Sequence, residues 1–230
     1  MDVIVHIGVD VGQRVDPTGI CVAELERRGR ETHYLIRHLE RLTLNTSYPA
    51  VVARLAAIQH SLQARATMAA KLGQKASPIK VSWWVDATGV GQPVVDLLRG
   101  AGLPVTPVFF TASDKATTEG GELRLGKALL VSRLQVLLQC GRIHLPRMAE
   151  ASALVDELLN YEIRVSDSAN AQFGAFKTGQ HDDLATALGL ACWAEPPGSL
   201  PTQQPTAPSR WTIIRDRTAW SGGRRWNRRI

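Results

Sequence analysis

Three cysteines in 230 residues, Cys21, Cys140 and Cys192, are too few and too far apart for most cysteine chemistry. An odd number with no CxxC spacing argues against both a disulfide framework and a zinc site, and leaves them as reduced filler of core or surface. Long hydrophobic runs are missing too. No stretch reaches the roughly 20 apolar residues of a membrane helix, and no charged-then-apolar leader precedes Asp10. The expectation is a cytoplasmic protein with no membrane association. A nucleotide motor is absent as well. Gly121, Gly126 and Lys127 in GELRLGKA have P-loop spacing, but Ala128 stands where a Ser or Thr would bind Mg²⁺, and no apolar strand leads into the segment. It reads as the approach to a helix. There is no internal repeat, and no helix-turn-helix or zinc finger that would read bases.

What is present is a composition 44% hydrophobic, with a formal net charge of +6 that is unevenly placed. Residues 210–230 hold seven arginines and one acid, Asp216, which accounts for the whole excess; the first 209 residues balance. The tail interleaves Trp211, Trp220 and Trp226 with arginines that include Arg224, Arg225, Arg228 and Arg229. Arginine for phosphates and tryptophan for stacking suit a segment that docks on nucleic acid or on a protein partner. Before it, Pro196 to Ser209 (PPGSLPTQQPTAPS) has little to bury and reads as a linker. The expected organisation is a folded body over 1–195, a Pro-rich linker over 196–209 and a basic tail over 210–230, with room for one substantial core.

Within the body, Val3 to Val9, Ile20 to Glu24 and Tyr34 to Leu39 read as strands joined by short turns, hence as antiparallel neighbours. Pro49 to Lys71 has apolar residues at helical spacing, Val81 to Val85 is a fourth strand, and a Gly-rich turn leads to a helix over Pro93 to Arg99. Val105 to Phe110 is a fifth strand. Helices follow over Lys127 to Leu138, Ala149 to Asn160 and from Asp183, and Tyr161 to Val165 with Gln172 to Phe176 forms a hairpin. A meander followed by alternating helix and strand predicts an α/β fold: a mixed sheet flanked by helices.

Three acidic positions end or open apolar segments: Asp10 closes IVHIGVD, Asp86 closes VSWWVD, and Asp182-Asp183 opens HDDLATALGLACW. A carboxylate at the edge of a buried strand needs a cation, a donor or an opposite charge. No basic residue sits beside any of the three, so a divalent metal is the expected counter-charge. Each acid also has a simpler role open to it. Asp182 suits a helix N-cap and Asp183 the first turn, where the macrodipole favours negative charge. Asp10 and Asp16 bracket a turn and could make Asx-type hydrogen bonds. His181 could protonate a leaving group, touch a metal or be structural. Gly89 and Gly91 permit a tight strand-to-helix turn whose amides could meet a phosphate.

In this order the elements look like the ribonuclease H-like nuclease superfamily. The segments GVDVGQRVDPTGICVAE, VDATGVGQPVVDLLRGAGLPV, LVSRLQVLLQCGRIHLP and GQHDDLATALGLACW resemble the nuclease domain of the large terminase subunit of tailed bacteriophages. The resemblance covers Val3 to Trp193. It implies a metal-dependent endonuclease that cuts double-stranded, concatemeric viral DNA during packaging. Asp10, Asp86 and Asp183 would bind the catalytic metals, Asp182 would be an additional ligand, and Asp16 and His181 would play supporting parts. Two Mg²⁺ or Mn²⁺ ions suit hard oxygen donors, with Asp10 between them. The implied partners are DNA, a packaging ATPase motor, small terminase and portal; the chain is then either an excised or separately encoded nuclease domain, or one that works beside a separate motor. The alternatives are another ribonuclease H-like nuclease such as a Holliday-junction resolvase, or a DNA- or portal-binding module without catalysis. The actin-like ATPase fold, which DVGQRVDPTG and DATGVG loosely resemble, needs two such domains.

Overall fold

The computed structural model describes residues 2–71, 78–89, 91–160, 162–165, 171–174 and 181–194. The expected linker and tail, with Trp226, Arg224, Arg225, Arg228 and Arg229, lie outside the described residues, as do Tyr161 and positions 175–176 of the expected hairpin.

The chain begins with the meander β1 (Val3–Asp10), β2 (Gly19–Arg28) and β3 (Glu31–Arg41). Gly29, at a φ of 64°, takes the left-handed conformation in the tight turn between β2 and β3, which a side chain would disfavour. Helix α1 (Tyr48–Lys71) then crosses to β4 (Ile79–Asp86), and α2 (Gly91–Gly100) crosses to β5 (Val105–Thr111). A hairpin of β6 (Ala116–Glu119) and β7 (Glu122–Gly126) runs directly into α3 (Lys127–Gln139). The two-residue β8 (Ile143–His144), α4 (Ala149–Asn160), the small hairpin β9 (Glu162–Val165) and β10 (Ala171–Gly174), and α5 (Asp183–Ala191) complete the order.

Eight strands form one mixed sheet in the order β6-β7-β5-β4-β1-β2-β3-β8. β1 pairs antiparallel with β2 and parallel with β4, and β4, β5 and β7 continue in parallel. The apolar run of β1 is buried on both faces. Val5, Ile7 and Val9 join Trp83, Val85, Val51, Leu55 and Leu98 in a core under α1 and α2. The opposite face of β2 and β3, with Cys21, Ala23, Tyr34, Ile36 and Leu39, packs against Leu134, Leu154, Leu158, Leu184 and Leu188 from α3, α4 and α5. Helices on both faces explain why the strands read as continuous hydrophobic segments rather than as alternation.

β6, β7 and β8 were not among the expected strands. The stretch with P-loop spacing is β7 itself, where Leu123 and Leu125 alternate into the core around exposed Arg124, so it forms a strand instead of a phosphate-binding loop. Among the described residues no helix is long and apolar enough to cross a membrane. The three cysteines are free, and burial raises the thiol of Cys21 and pushes that of Cys192 up to about 12.

Candidate metal centre

Strand pairing brings the first two carboxylates together. Asp10 and Asp86 are register partners at the ends of parallel β1 and β4. Four parallel strands, β1, β4, β5 and β7, finish at this edge of the sheet. The carboxyl end of a parallel sheet is where open α/β folds place ligands.

Helix α5 delivers the other two acids because two glycines let it come very close. A Cβ on Gly8 would collide with the α5 backbone at Ala187 and with Leu190 Cβ, and a Cβ on Gly19 would collide with the backbone of Asp183. Gly19 is the register partner of Asp10, so the start of α5 lies over the end of β1. Asp10 accordingly feels the charges of Asp86, Asp182 and Asp183. Its carboxyl is held well above the ordinary range, first by burial and then by those acids, with Lys127 acting against them. Asp86 is raised by burial, an effect opposed by hydrogen bonds from the hydroxyl and backbone N–H of Thr88, the latter donating to Oδ1 at 2.8 Å. Thr88 is itself fixed, because its hydroxyl oxygen accepts from the Phe110 N–H at 2.8 Å.

The acids do have basic neighbours, which corrects the expectation drawn from the sequence. Arg41, at the end of β3, donates from Nε to Asp183 Oδ2 at 2.9 Å and from Nη2 to Glu157 of α4. Lys127 Nζ lies 3.2 Å from Asp182 Oδ2 and 5.7 Å from the centre of the Phe110 ring. Lys127 reaches the site because α3 starts where β7 ends, at the same edge as Asp10 and Asp86. Its place in a false P-loop was the sole hint in sequence. Arg41 and Glu157 gave none, being separated by 116 residues.

The capping role weighed for Asp182 is not seen. Asp182 occupies the N-cap position of α5 without a side-chain capping bond. Glu157 does that work from another helix: its Oε2 accepts the Ala185 N–H at 2.8 Å, the third amide of α5 and the usual target of an N-cap side chain. Burial, then the charge of Asp183, raises the Glu157 carboxyl to about 8. Asp183, 1% exposed, is raised by burial, against the pull of Arg41 and, more weakly, of its own backbone N–H and of His181. Asp16 is exposed and pairs with His181 Nδ1 at 3.3 Å, outside the group of acids that act on Asp10. Gly89 lies in the turn between β4 and α2, and α2 starts at Gly91.

Among the described residues no three His, Cys, Asp or Glu side chains are gathered as a ready-made metal cage. The donor set nevertheless fits a hard divalent cation. Four carboxylates converge on one sheet edge, and their cationic neighbours are Lys127 and an Arg41 shared with Glu157. Asp183 Oδ1 is buried with no hydrogen-bond partner among the described residues. A buried, unpartnered carboxylate oxygen is costly unless a cation meets it, and oxygen-only donors favour Mg²⁺ or Mn²⁺.

No protein-family model matches the chain, and no curated protein matches it by sequence. Solved structures do. The large terminase nuclease from thermophilic phage G20c matches at 25% identity with a TM-score of 0.59, over 83% of this chain and 81% of that one. Its form with bound magnesium matches at 24% identity and a TM-score of 0.58, over 84% and 82%. The human cytomegalovirus terminase nuclease domain, soaked with manganese, matches at 15% identity and a TM-score of 0.52, over 82% and 81%, which speaks to fold alone. With its antiparallel meander leading into parallel strands and its helices on both faces, the chain has the ribonuclease H-like fold of large terminase nuclease domains.

Proposed function

We propose that this chain is a metal-dependent endonuclease that hydrolyses phosphodiester bonds of double-stranded DNA, cutting concatemeric viral genomes during packaging. The observation that carries the reading is the convergence of Asp10 and Asp86, paired across parallel strands, with Asp182 and Asp183 laid over them by α5. The fold shared with the G20c nuclease, which has been seen with magnesium, supports it. Two divalent ions in such a site would supply an activated water and stabilise the leaving oxygen. Asp10, Asp86 and Asp183 would hold them, with Asp182 as a further ligand. Asp10, which feels the charges of Asp86, Asp182 and Asp183, would be the shared ligand. Thr88 keeps Asp86 oriented, and Lys127 supplies a positive charge at the same edge, close enough to Asp182 to exchange it for a phosphate.

The body over 1–195 would be the nuclease, and the tail beyond Ser209 would hold DNA or a packaging partner. DNA, a packaging ATPase motor, small terminase and portal are the partners that fit this role. Plasmid cleavage with Mn²⁺, Mg²⁺ or EDTA tests the reading. Asp10→Ala, Asp86→Ala and Asp183→Ala should each abolish metal-dependent cutting. Metal-independent cutting, or full activity in all three variants, would overturn it. A strong preference for four-way junctions over linear duplex would instead identify a resolvase.

A further inference from the structure

We infer that Arg41 and Glu157 are positioning residues that together set which oxygen of Asp183 is left to take a divalent cation. This rests on the metal-dependent reading above. Glu157 and Arg41 each use two polar atoms on different partners. Glu157 Oε2 accepts the Ala185 N–H of α5, and its Oε1 accepts from Arg41 Nη2. Arg41 Nε then donates to Asp183 Oδ2 at 2.9 Å. The circuit closes through the first turn of α5, which carries both Asp183 and Ala185. It engages one Asp183 oxygen and leaves Oδ1 buried with no hydrogen-bond partner among the described residues.

A purely stabilising role accounts poorly for this arrangement. Buried ion pairs contribute little over well-packed apolar residues, and a merely structural pair would have no reason to leave a buried carboxylate oxygen unmet. Holding a ligating carboxylate from behind, by contrast, fixes its direction before the cation arrives, and losing such an outer contact weakens metal binding. The rigid fork of arginine suits the task. A lysine has a single nitrogen and cannot span Asp183 and Glu157 with the same geometry.

The test is calorimetric titration of Mn²⁺ into the full chain and into Arg41→Met, Arg41→Lys, Glu157→Gln and the Arg41→Met/Glu157→Gln pair. Circular dichroism confirms that each is folded. Methionine keeps the aliphatic packing of Arg41, and glutamine keeps an acceptor for the Ala185 amide, so Glu157→Gln tests the idea even if an Arg41 variant fails to fold. Arg41→Met should weaken Mn²⁺ binding roughly 10- to 100-fold. Arg41→Lys should recover part of the loss, and Glu157→Gln should weaken binding less than Arg41→Met. The double variant should bind no worse than Arg41→Met alone, because Glu157 acts through Arg41. Parent-like affinity in folded Arg41→Met and Glu157→Gln would overturn the inference while leaving the metal site standing. Absence of Mn²⁺ binding in the parent would overturn both.

Discussion

At the scale of single residues, burial decides which ionisable groups carry charge. His6 lies under α5 with its ring edge-on to Trp84 at 4.6 Å, and its Nδ1 is 3.3 Å from the Ala191 carbonyl. Burial lowers its pKa from 6.5 to about 4. The unfolded chain therefore takes up this proton as pH falls through 6.5, while the folded chain resists until about 4. Stability from His6 is fully present above 6.5 and drains away between those values, by about 3 kcal/mol in all. The raised carboxyls of Asp10, Asp86, Glu157 and Asp183 act in the opposite direction, so the effect is read as a difference. Denaturant titrations at pH 7 and pH 4.5 should show the parent losing more stability than His6→Gln, and parallel losses would refute the assignment. The acids themselves were legible in the sequence, because each ends or opens an apolar segment. Their cationic neighbours were not, since Arg41 reaches Asp183 and Lys127 reaches Asp182 only once β3, α3 and α5 have packed.

At the scale of elements, the placement of α5 governs the site. Its close approach depends on Gly8 and Gly19, which in sequence look like ordinary strand glycines. Gly8→Ala would drive a methyl into the helix backbone, and overpacking of this kind costs about 1–3 kcal/mol. Thermal unfolding should show the loss. Mn²⁺ titration of the folded variant should also show weakened binding, since moving α5 carries Asp182 and Asp183 away from Asp10. Unaltered stability would mean that the helix can shift freely. Long periodic elements were read correctly from sequence: α4 runs from Ala149 to Asn160 as expected, β1 and β5 each extend one residue beyond expectation, and β4 extends by three. β6, β7 and β8 escaped because they are short, and polar ATTE has no pattern until β7 pairs with it.

At the scale of the whole molecule, charge and chemistry occupy different stretches of chain. The first 209 residues are formally neutral, and the entire excess of +6 lies in the last 21. A chain ending at Glu195 should keep the melting temperature and Mn²⁺ affinity of the parent but bind DNA or a packaging partner more weakly, with a shallower dependence on salt. Equal binding at low salt would remove the tail from that role. Sequence alone determined the order of the longer strands and helices and the acids at their ends, because hydrophobic periodicity and chain punctuation are local properties. Tertiary structure alone decided that Glu157, and not Asp182, caps α5. It also decided that Arg41 and Lys127 stand against the acids and that one oxygen of Asp183 is left unmet. Those outcomes depend on contacts between residues tens to more than a hundred positions apart, which no local pattern encodes.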